Sequence, residues 1–118
     1  MPKNPQRIER IADLIQHALA KILQQEAQDS RFRSVTITGV SIDRDLSYAK
    51  VYVSVMQEEK TKDTIAALNR ARKYFRHALA QAVELRAVPE LKFIFDDTAI
   101  QGDRISILLN KAQKRMKN

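Results

Sequence analysis

The chain has no cysteine and no tryptophan, and among its 118 residues there are only two glycines, three prolines and two histidines. Without cysteine there is neither a disulfide framework nor a thiolate metal site. Two histidines leave little material for a histidine-rich metal centre or a catalytic triad. So few glycines and prolines mean that most of the chain lies in regular elements joined by short connections. No stretch approaches the roughly 18 apolar residues of a membrane span, and the run Met1-Pro2-Lys3-Asn4-Pro5-Gln6-Arg7 carries no apolar signal core. Walker loops, dinucleotide fingerprints, nucleophile elbows and zinc spacings are also missing. A cytoplasmic protein is expected that is not an enzyme, with no cofactor, no metal and no membrane partner.

What is present is positive charge. Twenty-one Lys and Arg against 14 Asp and Glu give a formal charge of +7. Such a surplus favours a polyanionic partner, nucleic acid above all. The length fits one domain with a short appendage, and nothing requires more than a monomer.

After Pro5, residues Ile8, Ile11, Ala12, Ile15, Leu19, Ile22 and Leu23 repeat at helical spacing, which predicts an amphipathic helix ending near Gln28. The β-branched run Val35 to Ile42 predicts a strand. Its phase slips at Gly39, because Val35 and Ile37 share one parity while Val40 and Ile42 share the other, so a bulge is expected there. Turn residues Asp43 to Ser47 lead into Tyr48–Met56, where Ala49, Val51, Val53 and Val55 alternate with Tyr48, Lys50, Tyr52 and Ser54. The two strands form an antiparallel hairpin. After a polar loop, Ile65, Leu68, Phe75, Leu79 and Val83 mark a helical stripe from about Asp63 to Leu85. Pro89 then imposes an extended start on a third strand with Leu91, Phe93 and Phe95 on one side. Asp103 is placed to cap a last helix or tail carrying Ile105, Leu108, Leu109, Ala112 and Met116. The order αββα(kink)αβ, with helices on one face of a three-stranded sheet, defines an α+β two-layer sandwich.

One residue breaks this pattern. At 100° per residue Arg72 falls in the middle of the arc made by Leu68, Phe75 and Leu79, where a guanidinium does not belong. Either its stem snorkels to solvent, or the helix is interrupted between Ala71 and Tyr74 so that its halves have independent phases. The second is favoured, because the break then coincides with the densest cationic cluster, Arg70, Arg72, Lys73 and Arg76, which has no acid among its members. An interruption leaves N–H groups of the following half-helix facing outward, where phosphate oxygens can accept from them. Lys111, Lys114 and Arg115 supply a second basic patch.

Other constellations favour structural roles. The pairs Asp43 with Asp45 and Asp96 with Asp97 fall at turns, where aspartate bonds nearby backbone more often than it binds Mg²⁺ or does acid–base chemistry. His17 and His77 lie on separate helices. The C-terminal stripe fits docking on the domain better than an anionic membrane, lacking Trp and Phe. Tyr48 and Tyr52 share a sheet face and fit either base stacking or a weakly polar exterior.

Several stretches resemble the bacterial ribosome-binding factor A family. They include Arg7-Ile8 through Leu23, Val35 to Ser41, Asp45 to Ser54, Phe75-Arg76-His77-Ala78-Leu79, and Asp96-Asp97-Thr98 with Gly102 to Ile105. The most specific is Leu85-Arg86-Ala87-Val88-Pro89-Glu90-Leu91-Lys92-Phe93. The resemblance implies a type II KH-like RNA-binding domain over residues 1–100 and a basic amphipathic extension over 101–118. It also implies binding to the free 30S ribosomal subunit, late maturation and 5′-end processing of 16S rRNA, a role in growth in the cold, and other assembly factors as partners. The family's Ala-x-Gly interruption matches Ala71-Arg72-Lys73. Lysine stands in place of the glycine, which adds a cation but disfavours a left-handed backbone. The competing reading is a nonspecific nucleic-acid-binding or protein-interaction module.

Overall fold

The computed structural model describes residues 5–26 and 32–97. Helix α1 spans Pro5–Gln25, strand β1 Val35–Ile42, strand β2 Tyr48–Val55, helix α2 Thr61–Arg70, helix α3 Arg72–Ala82 and strand β3 Glu90–Phe95. A 3-10 turn, Glu58–Lys60, leads into α2. The last helix or tail expected from Asp103 onward lies outside the described residues.

Pro5 starts α1, where its fixed φ suits the first helical turn and its missing N–H costs no bond. The apolar stripe then turns Ile15, Leu19, Ile22 and Leu23 onto the sheet, all buried, with Ile11 half-buried beside them. The expected bulge lies between Ile37 and Gly39, where the register of the antiparallel β1–β2 pair shifts by one residue and skips Thr38, whose hydroxyl still reaches the Tyr52 carbonyl at 3.3 Å. The turn joining these strands holds Leu46 at φ 61, in the left-handed region. Asp45 supports it by accepting bonds from the N–H and the hydroxyl of Ser47, at 3.2 and 2.7 Å. This is the structural role expected of that carboxylate. Asp96 instead accepts from the hydroxyl of Thr38, so the bulge residue is tied to the end of β3 across β2.

The sheet order is β1-β2-β3, and β3 runs parallel to β2. Parallel neighbours need a long crossover, and α2 with α3 supplies it. The inner face carries Ala49, Val51 and Val53 on β2 against Leu91 and Phe93 on β3, all buried. Phe75 is the hub of the layer between helices and sheet. Its ring meets Phe32, Tyr74 and Phe93 edge-on at centroid distances of 5.7, 5.5 and 5.6 Å.

Several boundaries differ from the sequence reading. Helix α1 ends at Gln25, three residues before the expected Gln28, and β2 ends at Val55. Helix α2 begins at Thr61, because the polar run before it already winds into the 3-10 turn. Helix α3 ends at Ala82 and not near Leu85. Val83 is extended, at φ −129 and ψ 148, so it leaves the helical stripe and starts the return path to Pro89. It stays half-buried against the core together with Leu85 and Val88. Phe95, at the sheet's end, is only half-buried.

Candidate nucleic-acid interface

The surface of interest is built around the joint between α2 and α3, and its position is set by Asn69. This side chain donates to the carbonyl of Phe93 at 3.0 Å and accepts from the N–H of Phe93 at 2.9 Å. Strand β3 is an edge strand, and the amide of Asn69 takes the place of a neighbouring strand's peptide at its outer rim. The last turn of α2 is thereby fastened to the middle of β3, one residue before the basic cluster begins.

The interruption is confined to Ala71, at φ −94 and ψ 8. It is shorter than the Ala71–Tyr74 stretch expected, because helical hydrogen bonding continues across it. The Ala71 N–H donates to the carbonyls of Ala67 and Leu68, and its own carbonyl accepts from the N–H of Phe75 at 3.1 Å. No left-handed residue is needed. Leu46 is the one non-glycine with positive φ among the described residues, so Lys73 sits in ordinary helix and carries none of the conformational cost that a left-handed position would impose. The ψ change at Ala71 resets the phase. Leu68 before it and Phe75 and Leu79 after it are fully buried, while Arg72 between them is exposed.

Arg70, Arg72, Lys73 and Arg76 are all exposed. Arg72, Lys73 and Arg76 line one hollow of about 190 Å³ together with Tyr48, Glu90 and Leu91. Lys73 and Arg76 also line a second, of about 520 Å³, with His77, Leu85 and Arg86. Arg70 lines neither. The α3 N-terminus has no side-chain cap, but backbone N–H groups at the break donate to the carbonyls of Ala67, Leu68 and Asn69, so the outward-facing donors expected of an interruption are taken up by α2 and the joint presents side-chain cations instead. Arg76 also braces the backbone. Its Nε and Nη2 donate to the carbonyl of Val88 at 3.1 and 2.9 Å, which holds the chain just before Pro89. Tyr74, on the flank, donates a hydrogen bond to the Glu26 carboxylate. That bond, with lesser help from desolvation and the charge of Glu26, holds the phenol above its usual pKa.

Sequence reading did not find Arg86, Tyr48 as a neighbour of the cations, or Asn69. The first two reach the site only through tertiary folding. The third had a signal, since asparagine is a poor residue inside a helix unless its side chain has work elsewhere. Lys111, Lys114 and Arg115 lie outside the described residues. His17 bonds its own helix through the Asp13 carbonyl, and His77 faces Gln81.

An αββααβ order and a sheet with one antiparallel and one parallel pair define a type II KH-like domain, here with a cationic joint between its central helices. The family model described as ribosome-binding factor A matches residues 7–109. The chain belongs to the ribosome-binding factor A family. It is 44% identical over 110 residues to ribosome-binding factor A of Coxiella burnetii strain Dugway, covering 93% of this chain and 92% of that one. To the Nitrosococcus oceani protein it is 40% identical, covering 92% and 87%. The crystal structure of ribosome-binding factor A from Thermus thermophilus superposes with a TM-score of 0.67 at 31% identity, covering 74% of this chain and 93% of that one. A homology model of the Thermus thermophilus factor, as fitted into the cryo-EM map of a complex with the 30S subunit, gives 0.59 at 32% identity, covering 70% and 88%.

Proposed function

We propose that this chain is a ribosome assembly factor that binds the free 30S subunit and assists late maturation and 5′-end processing of 16S rRNA. It works in the cytoplasm as a monomer, in the company of other assembly factors, and its activity matters most for growth in the cold. The reading draws on family membership and on the relative fitted into a 30S complex. The observation that carries it is the exposed set Arg72, Lys73 and Arg76, gathered around one hollow with a single carboxylate, Glu90, on its wall.

These cations suit sugar–phosphate strands in a folded RNA. Backbone contacts of this kind supply affinity and position, while the shape of the RNA supplies selectivity. The factor acts by binding, and no covalent step is assigned to it. Arg70 adds long-range attraction, and Lys111, Lys114 and Arg115 on the extension over 101–118 add a second basic contact. The test is a sucrose-gradient profile of ribosomal particles from cells lacking the gene, with the 16S ends mapped. Accumulated free small subunits carrying unprocessed 5′ ends, rescued by the intact gene, are expected. A normal profile in the cold would contradict the proposal.

A further inference from the structure

The cationic hollow and the open face of the sheet meet where β2 and β3 begin. Tyr48 and Glu90 face each other in the parallel register, and both line the hollow that holds Arg72, Lys73 and Arg76. A strand returns to the same face every second residue, about 6.6 Å further on. Two residues on in both strands, Lys50 lies directly beside Lys92, and both are exposed. In the following row Tyr52 stands between Gly39 and Ile94. A Cβ built at Gly39 meets nothing within 4 Å, so that flank of the row is open. The helices pack on the other face, over Val51, Val53, Leu91 and Phe93.

Like charges placed directly across a strand pair oppose folding. The lysine pair therefore serves the sheet poorly and an external anion well. We infer that Lys50 and Lys92 extend the interface around the leading end of β3 and onto the open sheet face, where they take phosphates of an RNA strand that also passes the α2–α3 joint. This rests on the RNA-binding reading above. The chain's own segment 101–118 is a poorer occupant, because its apolar stripe is flanked by Lys111, Lys114, Arg115 and Lys117, of the same sign as the pair. Glu90 marks the corner where the path turns, and Asp96, at the far end of the sheet, is engaged by Thr38.

The test uses the full chain and purified small subunits, with affinity measured over a series of salt concentrations. K50E/K92E is expected to weaken binding about tenfold or more near 0.1 M salt. It should also lower the slope of log K against log salt by about 1.4, as for two lost contacts to a single strand. K92E alone turns a like-charge pair into an opposite-charge pair, so it should raise Tm by about a few degrees while weakening binding. A purely structural role for these lysines cannot move the two readouts in opposite directions. If K50E/K92E binds like the unaltered chain while R72E/K73E does not, the inference is overturned and the proposed function stands. Weaker binding with an unchanged salt slope would make the sheet face a protein-binding surface and overturn the RNA contact. An unaltered chain that ignores small subunits would remove both readings.

Discussion

Helix α3 has two sides that answer to different demands. Its inner side sets Phe75 and Leu79 against the sheet with no exposure, and the Phe75 ring touches three other aromatics. Its outer side carries Arg72, Lys73, Arg76 and His77, all exposed. Residues one to three positions apart thus divide the buried core from the surface proposed to meet RNA. Burial of large apolar area supports the first, and a surplus of positive charge around a hollow suits the second. The contrast also explains the break at Ala71. A continuous helix would have forced Arg72 into the stripe that Leu68 and Phe75 occupy.

The sharpest way to break this division is from the inside. Phe75→Ala should cost about 3–5 kcal/mol of stability in denaturant titration, since it empties the hub of the core. A loss under about 1 kcal/mol would mean the aromatic cluster is not what holds α3 down. Asn69→Ala, which unpairs both backbone groups of Phe93 on the edge strand, should cost about 1–3 kcal/mol and speed amide exchange along β3. Arg76→Lys sharpens the outer side. It keeps the charge but loses the two-pronged bond to Val88, so about 0.5–1.5 kcal/mol should go, with local loosening before Pro89. An unchanged melting curve would assign Arg76 to charge alone.

The smallest effect concerns pH. The Tyr74 phenol is held above its ordinary value by Glu26, so the folded state keeps that proton more firmly than the unfolded chain. The associated stability is fully present below about pH 10 and is lost as pH rises through the folded value. Tyr74→Phe should flatten this alkaline decline and, at neutral pH, lose the small contribution that the bond makes there. An identical alkaline profile in the variant would remove the Tyr74–Glu26 bond from the account.

The same two sides show what a sequence of this kind reveals. Core periodicity was legible: the α1 stripe, the β2 alternation, the slip at Gly39 and the misfit of Arg72 all follow from spacing within one element. The placement of β3 beside β2, parallel and across two helices, was not legible, because strand pairing over some forty residues leaves no local mark. The hollow was half legible. Arg72, Lys73 and Arg76 cluster in sequence, but Tyr48, Arg86 and Glu90 join them only once the crossover is closed. Arg76 read as one more cation, since a guanidinium bound to a carbonyl twelve residues away looks in sequence like a free one.

The central claim is that Arg72 and Lys73, on the outer side of the α2–α3 joint, meet RNA of the small subunit by charge and leave the fold to the inner side. It is tested most directly by salt-dependent co-sedimentation of R72E/K73E with small subunits, alongside its melting curve. The account predicts a stability change within about 0.5 kcal/mol, as for surface positions. It predicts with this at least a tenfold loss of small-subunit binding and a shallower salt slope by about 1.4 or more. Unaltered affinity and slope in a folded R72E/K73E protein would contradict it.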